Sequence, residues 1–169
     1  FEQLNTQFDH LIIDTAAGIS DDVVMFTQAA NEVLVVVCDE PTSITDAYAL
    51  IKILHKDYGQ SRFHIVANMV GSYLEGRNLF SKVNKATERF LNLPLDFCGI
   101  IPFDELVRKS VQKQKAVIEA YPGSIAALAM RRIAKDIAAW PIRESYFNHI
   151  KFFWEQIVTN NEHAQGAVV

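Results

Sequence analysis

Four short polar stretches follow apolar runs in this chain: Asp14-Thr15-Ala16-Ala17-Gly18, Cys38-Asp39-Glu40-Pro41-Thr42, Asn68-Met69 and Pro102-Phe103-Asp104. Together they hold the residue types that phosphate chemistry uses. An apolar strand that carries a single Asp at its tip, with a Gly within four residues, sets a carboxylate beside magnesium and a backbone N–H near a phosphate. Asp14 and Gly18 have that spacing. Asn68 offers a donor and an acceptor together, the pair needed to read the edge of adenine or another amide-like ring. The turn at 102–104 can wall such a base or accept from its amino group. Taken singly, Asp, Asn, Pro and Thr populate strand-to-helix turns for conformational reasons alone, so the weight lies in the combination.

Other chemistries are poorly represented. The usual phosphate cradle is GxxxxGK[ST], and the glycines at 18, 59, 71, 76, 99, 123 and 166 form no such loop. The five histidines have no metal-ligand spacing, there is no GxSxG elbow, and no Ser-His pair sits on two strand tips. With 16 basic and 20 acidic residues the formal charge is -4, so no polyanion footprint dominates and no direct nucleic-acid contact is expected. Half the 169 residues are hydrophobic, which excludes disorder and leaves room for a core. Cys38 and Cys98 each close an apolar run without a CxxC pair, which fits reduced core thiols better than a disulfide framework. No apolar run reaches the ~18 residues of a membrane span. The chain opens on Phe1 with no initiator Met and no secretory pattern, and is expected to begin inside a longer reading frame.

The elements that must position the tips are legible in the periodicity. Continuous apolar runs at 11–13, 33–37, 63–67 and 97–101 suit strands buried on both faces, and each precedes a helical pattern. Ser20, then Asp21 and Asp22 in a first turn, predict a helix over about 21–30. Thr42 and Ser43 are expected to cap a second, with Ile44, Ala47, Tyr48, Ile51 and Leu54 on one face and an end near Gly59. A loop at 71–76 should lead into a third helix through Leu79, Val83 and Thr87, stopped by Pro94. Asp104 and Ser124 are expected to cap two more, the latter running to Trp140 before Pro141. Repeated β-α units predict an α/β doubly wound parallel sheet, whose ligands sit beyond the carboxyl ends of its strands.

The four tip segments, in order and over roughly residues 8–140, resemble the C-terminal two-thirds of a MinD/ParA-type, deviant Walker A, ATPase of P-loop NTPase-like fold. The run Asp-Glu-Pro-Thr-Ser-Ile-Thr-Asp-Ala-Tyr at 39–48 and Val-Ala-Asn-Met at 66–69 are more similar to the flagellar-number regulators of the FlhG/FleN type than to division-site MinD. The resemblance implies that Asp14 is the Walker B carboxylate, holding magnesium through its water shell. Residues 15–20, with Gly18, would be switch II, and Asn68, Pro102 and Asp104 would contact adenine. It further implies ATP and Mg as cofactors and an ATP-dependent homodimer that restrains a flagellar transcriptional activator and works with the flagellar GTPase FlhF. The location implied is the cytoplasm, with peripheral contact at the inner membrane or cell pole.

The family's P-loop with its signature lysine and its switch I aspartate lie upstream of these residues. The chain is therefore expected to be an N-terminally truncated domain, with an open core face, marginal stability and no ATP hydrolysis of its own. Cys38-Asp39 departs from the Thr-Pro or Thr-Thr common in the family. The rival readings are a ParA/MinD-type partitioning or division-site ATPase, and a receiver or flavodoxin-like binding module.

Two features lie beyond these motifs. Arg108, Lys109, Lys113 and Lys115, then Arg131, Arg132 and Lys135, form basic strips that read as solvated helix faces or as a partner surface. After a domain over residues 1–141, residues 142–158 carry an apolar stripe that includes Phe147, Ile150, Phe153, Trp154 and Ile157. That stripe is expected to dock on its own domain or to act as an interfacial membrane or partner anchor. Arg143 and Lys151 against Glu144 and Glu155 give no charge preference for anionic lipid, and 159–169 reads as a tail.

Overall fold

The computed structural model describes residues 10–140, so the stripe at 142–158 and the tail at 159–169 lie outside the described residues. The order of elements is α1 (Asp21–Ala29), β1 (Val33–Cys38), α2 (Pro41–Tyr58), β2 (Phe63–Val70), α3 (Tyr73–Leu91), β3 (Asp96–Pro102), α4 (Glu105–Gln112), α5 (Val117–Ala120) and α6 (Ile125–Ala138). The strands form a parallel sheet of order β1-β2-β3.

Parallel neighbours in register point to the same face. Val33, Val35 and Val37 therefore share a face with Phe63, Ile65 and Ala67, and α2 and α3 cover it. Ile51 and Leu54 from α2 and Leu79 from α3 are fully buried there beside Phe63 and Ile65. At about 25 cal/mol per Å² of apolar surface removed from water, this face is the main source of stability. Gly76 lets α3 approach: a Cβ at that position would lie 2.3 Å from Ile100 Cγ2. On the opposite face α6 packs on β3, where a Cβ on Gly99 would lie 3.0 Å from Ile133 Cγ1. Helices on both faces make the sheet doubly wound. Among the described residues no helix covers the second face of β1, where Leu34 and Val36 are exposed.

Three local expectations are corrected. Residues 11–13 form no strand, and Leu11 and Ile12 are 71% and 88% exposed. An apolar run becomes a strand only when a neighbour takes up its N–H and C=O groups, and among the described residues none does. The second helix begins at Pro41 with Glu40 as N-cap, because proline pre-sets the first helical turn. The Ser43 hydroxyl instead accepts from Cys38 N at 3.0 Å. The third helix begins at Tyr73, since Ser72 caps it by accepting from Glu75 N, and the expected loop at 71–76 is mostly helix. The C-cap Gly59 (φ 71°), and Asp104 and Ser124 as N-caps, are as expected.

Candidate functional site

The carboxyl ends of the three strands lie side by side. Cys38 is in register with Asn68, Asn68 with Ile101, and Val70 with Pro102. The shift in register between Asn68 and Val70 leaves Met69 as an extra residue at φ 57°, a bulge that ends regular pairing where β2 delivers Asn68. A compensating shift on β3 lies beside Gly99, whose φ of 153° favours glycine. Beyond the bulge the chain is re-anchored by Phe103 N donating to Val70 O at 2.9 Å.

The structure thus brings Asn68 and Pro102 to one rim. Among the described residues the Asn68 amide makes one contact, donating through Nδ2 to Cys38 Sγ at 3.9 Å, a weak bond to sulfur. Its carbonyl oxygen and second N–H are left for a ligand, which is the donor and acceptor set that an adenine edge requires. Burial, then the Glu40 carboxylate, push the Cys38 thiol up, and the Asn68 bond only partly opposes this. Burial followed by Asp136 pushes Cys98 up as well. Both cysteines are free and neutral near pH 7, fitting the expected reduced thiols.

Asp104, the expected cap of α4, bonds a second helix as well. Its Oδ1 accepts from Leu106 N at 2.9 Å, capping α4, and its Oδ2 accepts from Ala126 N at 3.2 Å in the first turn of α6. These bonds, with Leu106 the largest cause, hold its carboxyl below the ordinary value. One carboxylate therefore joins two helix N-termini beneath the rim, and fixes the wall after Pro102.

Asp14 and Gly18 lie on the exposed segment before α1. Gly18 sits at φ 104° with nothing within 4 Å of where a Cβ would be, so the turn needs glycine for its backbone rather than for space. The structure does not bring Asp14 onto a strand of this sheet.

Sequence reasoning missed two features near the rim. Lys82 on α3 donates to Asp39 Oδ1 at 2.7 Å, tying the tip of β1 to the helix three elements on. Both groups are about half exposed, so the pair is worth no more than about 1 kcal/mol. Arg77 lies over the rings of Phe97 and Phe80, at 4.7 and 5.6 Å from their centroids. The Lys82–Asp39 and Arg77–Phe97 pairings have no local sequence signal, because the partners are far apart in the chain, whereas Arg77 and Phe80 are three residues apart on α3.

The ParA family model, described as NUBPL iron-transfer P-loop NTPase, matches residues 3–138. Among similar proteins, the antiactivator FleN of Pseudomonas aeruginosa is 54% identical over 158 residues, covering 94% of this chain and 56% of FleN. The flagellum site-determining protein YlxH of Helicobacter pylori is 31% identical over 134 residues, covering 79% of this chain and 45% of YlxH. The chain thus spans about half the length of the curated relatives it matches. A solved MinD cell division protein of Aquifex aeolicus superposes with a TM-score of 0.63 at 20% identity, covering 84% of this chain and 59% of that one, which shows the fold.

Proposed function

Since this chain belongs to the ParA family of P-loop NTPases, we propose that it is the base-binding and effector part of a MinD-like regulator of flagellar number. Membership implies nucleotide binding. The 54% identity to an antiactivator over nearly the whole chain carries the regulatory reading. The whole protein forms an ATP-dependent homodimer, restrains a flagellar transcriptional activator and works with the flagellar GTPase FlhF.

Asn68 reads the adenine edge with the amide atoms that the fold leaves free, and Pro102 walls the base. Asp104 supports that wall through α4 and α6. Asp14 holds the magnesium water shell, and Gly18 gives switch II its turn. The bound nucleotide and metal supply the charge that separates the two states of such a switch. The donor set at Asn68 fits the base, while the cradle for the phosphates is not in this sequence.

The test is genetic and direct. Deleting the gene in its own host should raise the number of flagella per cell and the expression of flagellar operons. Restoring it should reverse both. Unchanged flagellar number with minicells or lost plasmids would favour the division or partitioning reading instead.

A further inference from the structure

The single turn α5 and the facing side of α6 leave an apolar groove of about 240 Å³ between them. Ile118 from α5 and Met130 and Ala134 from α6 form its walls. Ile118 is 44% exposed at its mouth. An open apolar lining of this kind on a charged surface marks a docking site rather than a core.

Its charge is equally specific. Arg131 stands on the rim, its Nη1 donating to Pro122 O at 2.8 Å and its Nη2 to Ile118 O at 3.0 Å. Carbonyls fix the guanidinium in place without neutralising it, and among the described residues no carboxylate pairs with it. Arg132 and Lys135 follow on α6, also without an ion-pair partner among the described residues. The nearby acids are few: Glu119 on α5 is 3.6 Å from Lys115, and Asp136 is the one acid of α6. Arg131 therefore sets a fixed positive charge at the edge of the apolar slot, on a chain of net charge -4.

We infer that the groove between α5 and α6 docks an acidic amphipathic helix of a partner protein. Apolar side chains one helical turn apart fill the slot between Ile118, Met130 and Ala134, and a carboxylate of the partner meets Arg131. A flexible polyanion would satisfy the cations and leave the slot empty; an apolar helix without acids would do the reverse. That this helix belongs to the flagellar activator rests on the function proposed above. That the groove takes such a helix does not.

The probe is a fluorescein-labelled helical peptide with Leu at i, i+3, i+4 and i+7 and Glu elsewhere, titrated by anisotropy against the 169-residue chain. Its control has Lys in place of Glu. The Glu peptide should bind, and binding should weaken on raising salt from about 0.05 to about 0.5 M. Ala134→Glu and Arg131→Glu should each weaken it by at least about tenfold, while Lys56→Glu on α2 leaves it within about twofold, all with unchanged circular dichroism. No binding, equal binding of the Lys peptide, indifference to both groove variants, or binding only to phosphatidylserine vesicles would overturn the inference. If the activator binds the protein but ignores Ala134→Glu and Arg131→Glu, the groove falls and the regulatory function stands. If the peptide binds and the activator does not, the groove stands and that function falls.

Discussion

The two ends of the same three strands are finished in opposite ways. At the amino end, Glu32 before β1, His64 on β2 and Asp96 on β3 meet in one cluster. The His64 Nε2 lies 2.9 Å from Glu32 Oε2 and its Nδ1 lies 3.8 Å from Asp96 Oδ2. Arg62 spans the same two carboxylates at 3.8 and 4.0 Å. Trp140 stacks on the buried His64 ring with centroids 3.9 Å apart, bringing the end of α6 back onto the sheet. At the carboxyl end, Asn68 makes a single weak contact, and Met69 and Phe103 are more than half exposed. A polar group whose bonding is used up holds the fold; one whose bonding is left over can hold something else. The amino end is a clamp, and the carboxyl end carries the rim to which the proposed function assigns the base.

That contrast can be broken at several points. Both ends rest on the core under α2 and α3, so Phe63→Ala, at 0% exposure, should have the largest effect. A loss of about 3–5 kcal/mol is expected in chemical denaturation. A loss under about 1 kcal/mol would mean that the core does not unite the two ends.

The clamp itself is tested by His64→Ala, which removes the bond to Glu32 and unstacks Trp140. About 1–3 kcal/mol should be lost, with a change in tryptophan emission. If neither moves, the amino end is not a clamp.

Asp104 lies between the two cases, since it serves the wall of the ligand rim by structural bonds. Asp104→Ala should lower the thermal midpoint at neutral pH by less than His64→Ala does. Its carboxyl is held below the ordinary 3.8 in the folded state, so its contribution is complete above that value. The contribution is lost as pH falls through the lowered folded value. The gap between parent and variant should therefore narrow in acid, and a gap that widened would remove the double cap.

The smallest effect on stability is expected from Asn68→Ala, within about 0.5 kcal/mol. In a full-length protein that carries the phosphate loop, the same change should weaken ATP binding by about tenfold in a fluorescent-nucleotide titration. The reverse pattern, a destabilised protein with normal affinity, would make the two ends alike.

Much of this was legible in the sequence. Three of the four apolar runs are strands, and Gly59, Asp104 and Ser124 end or begin helices where their residue types say. Each is decided within one or two turns of chain, by hydrophobic period or by a side chain capping its own helix. Asn68 and Pro102 lie on one rim, as expected, because parallel strands deliver the residues at their carboxyl ends to the same side. Trp140 read as the end of a helix and proved to be half of a stacked pair with His64. The bulge at Met69 and the Lys82–Asp39 pair left no local mark.

The sequence by itself determined the order of α and β and the parallel sheet. Tertiary structure alone decided that residues 11–13 pair with no strand among the described residues, that Asp104 bonds two helices at once, and that one end of the sheet gathers an ion cluster while the other carries Asn68. The physical reason is range. Caps and periodicity act between residues a few positions apart, whereas a strand's hydrogen bonds, a buried histidine's partners and the uncovered side of α6 depend on residues brought together only when the whole sheet has formed.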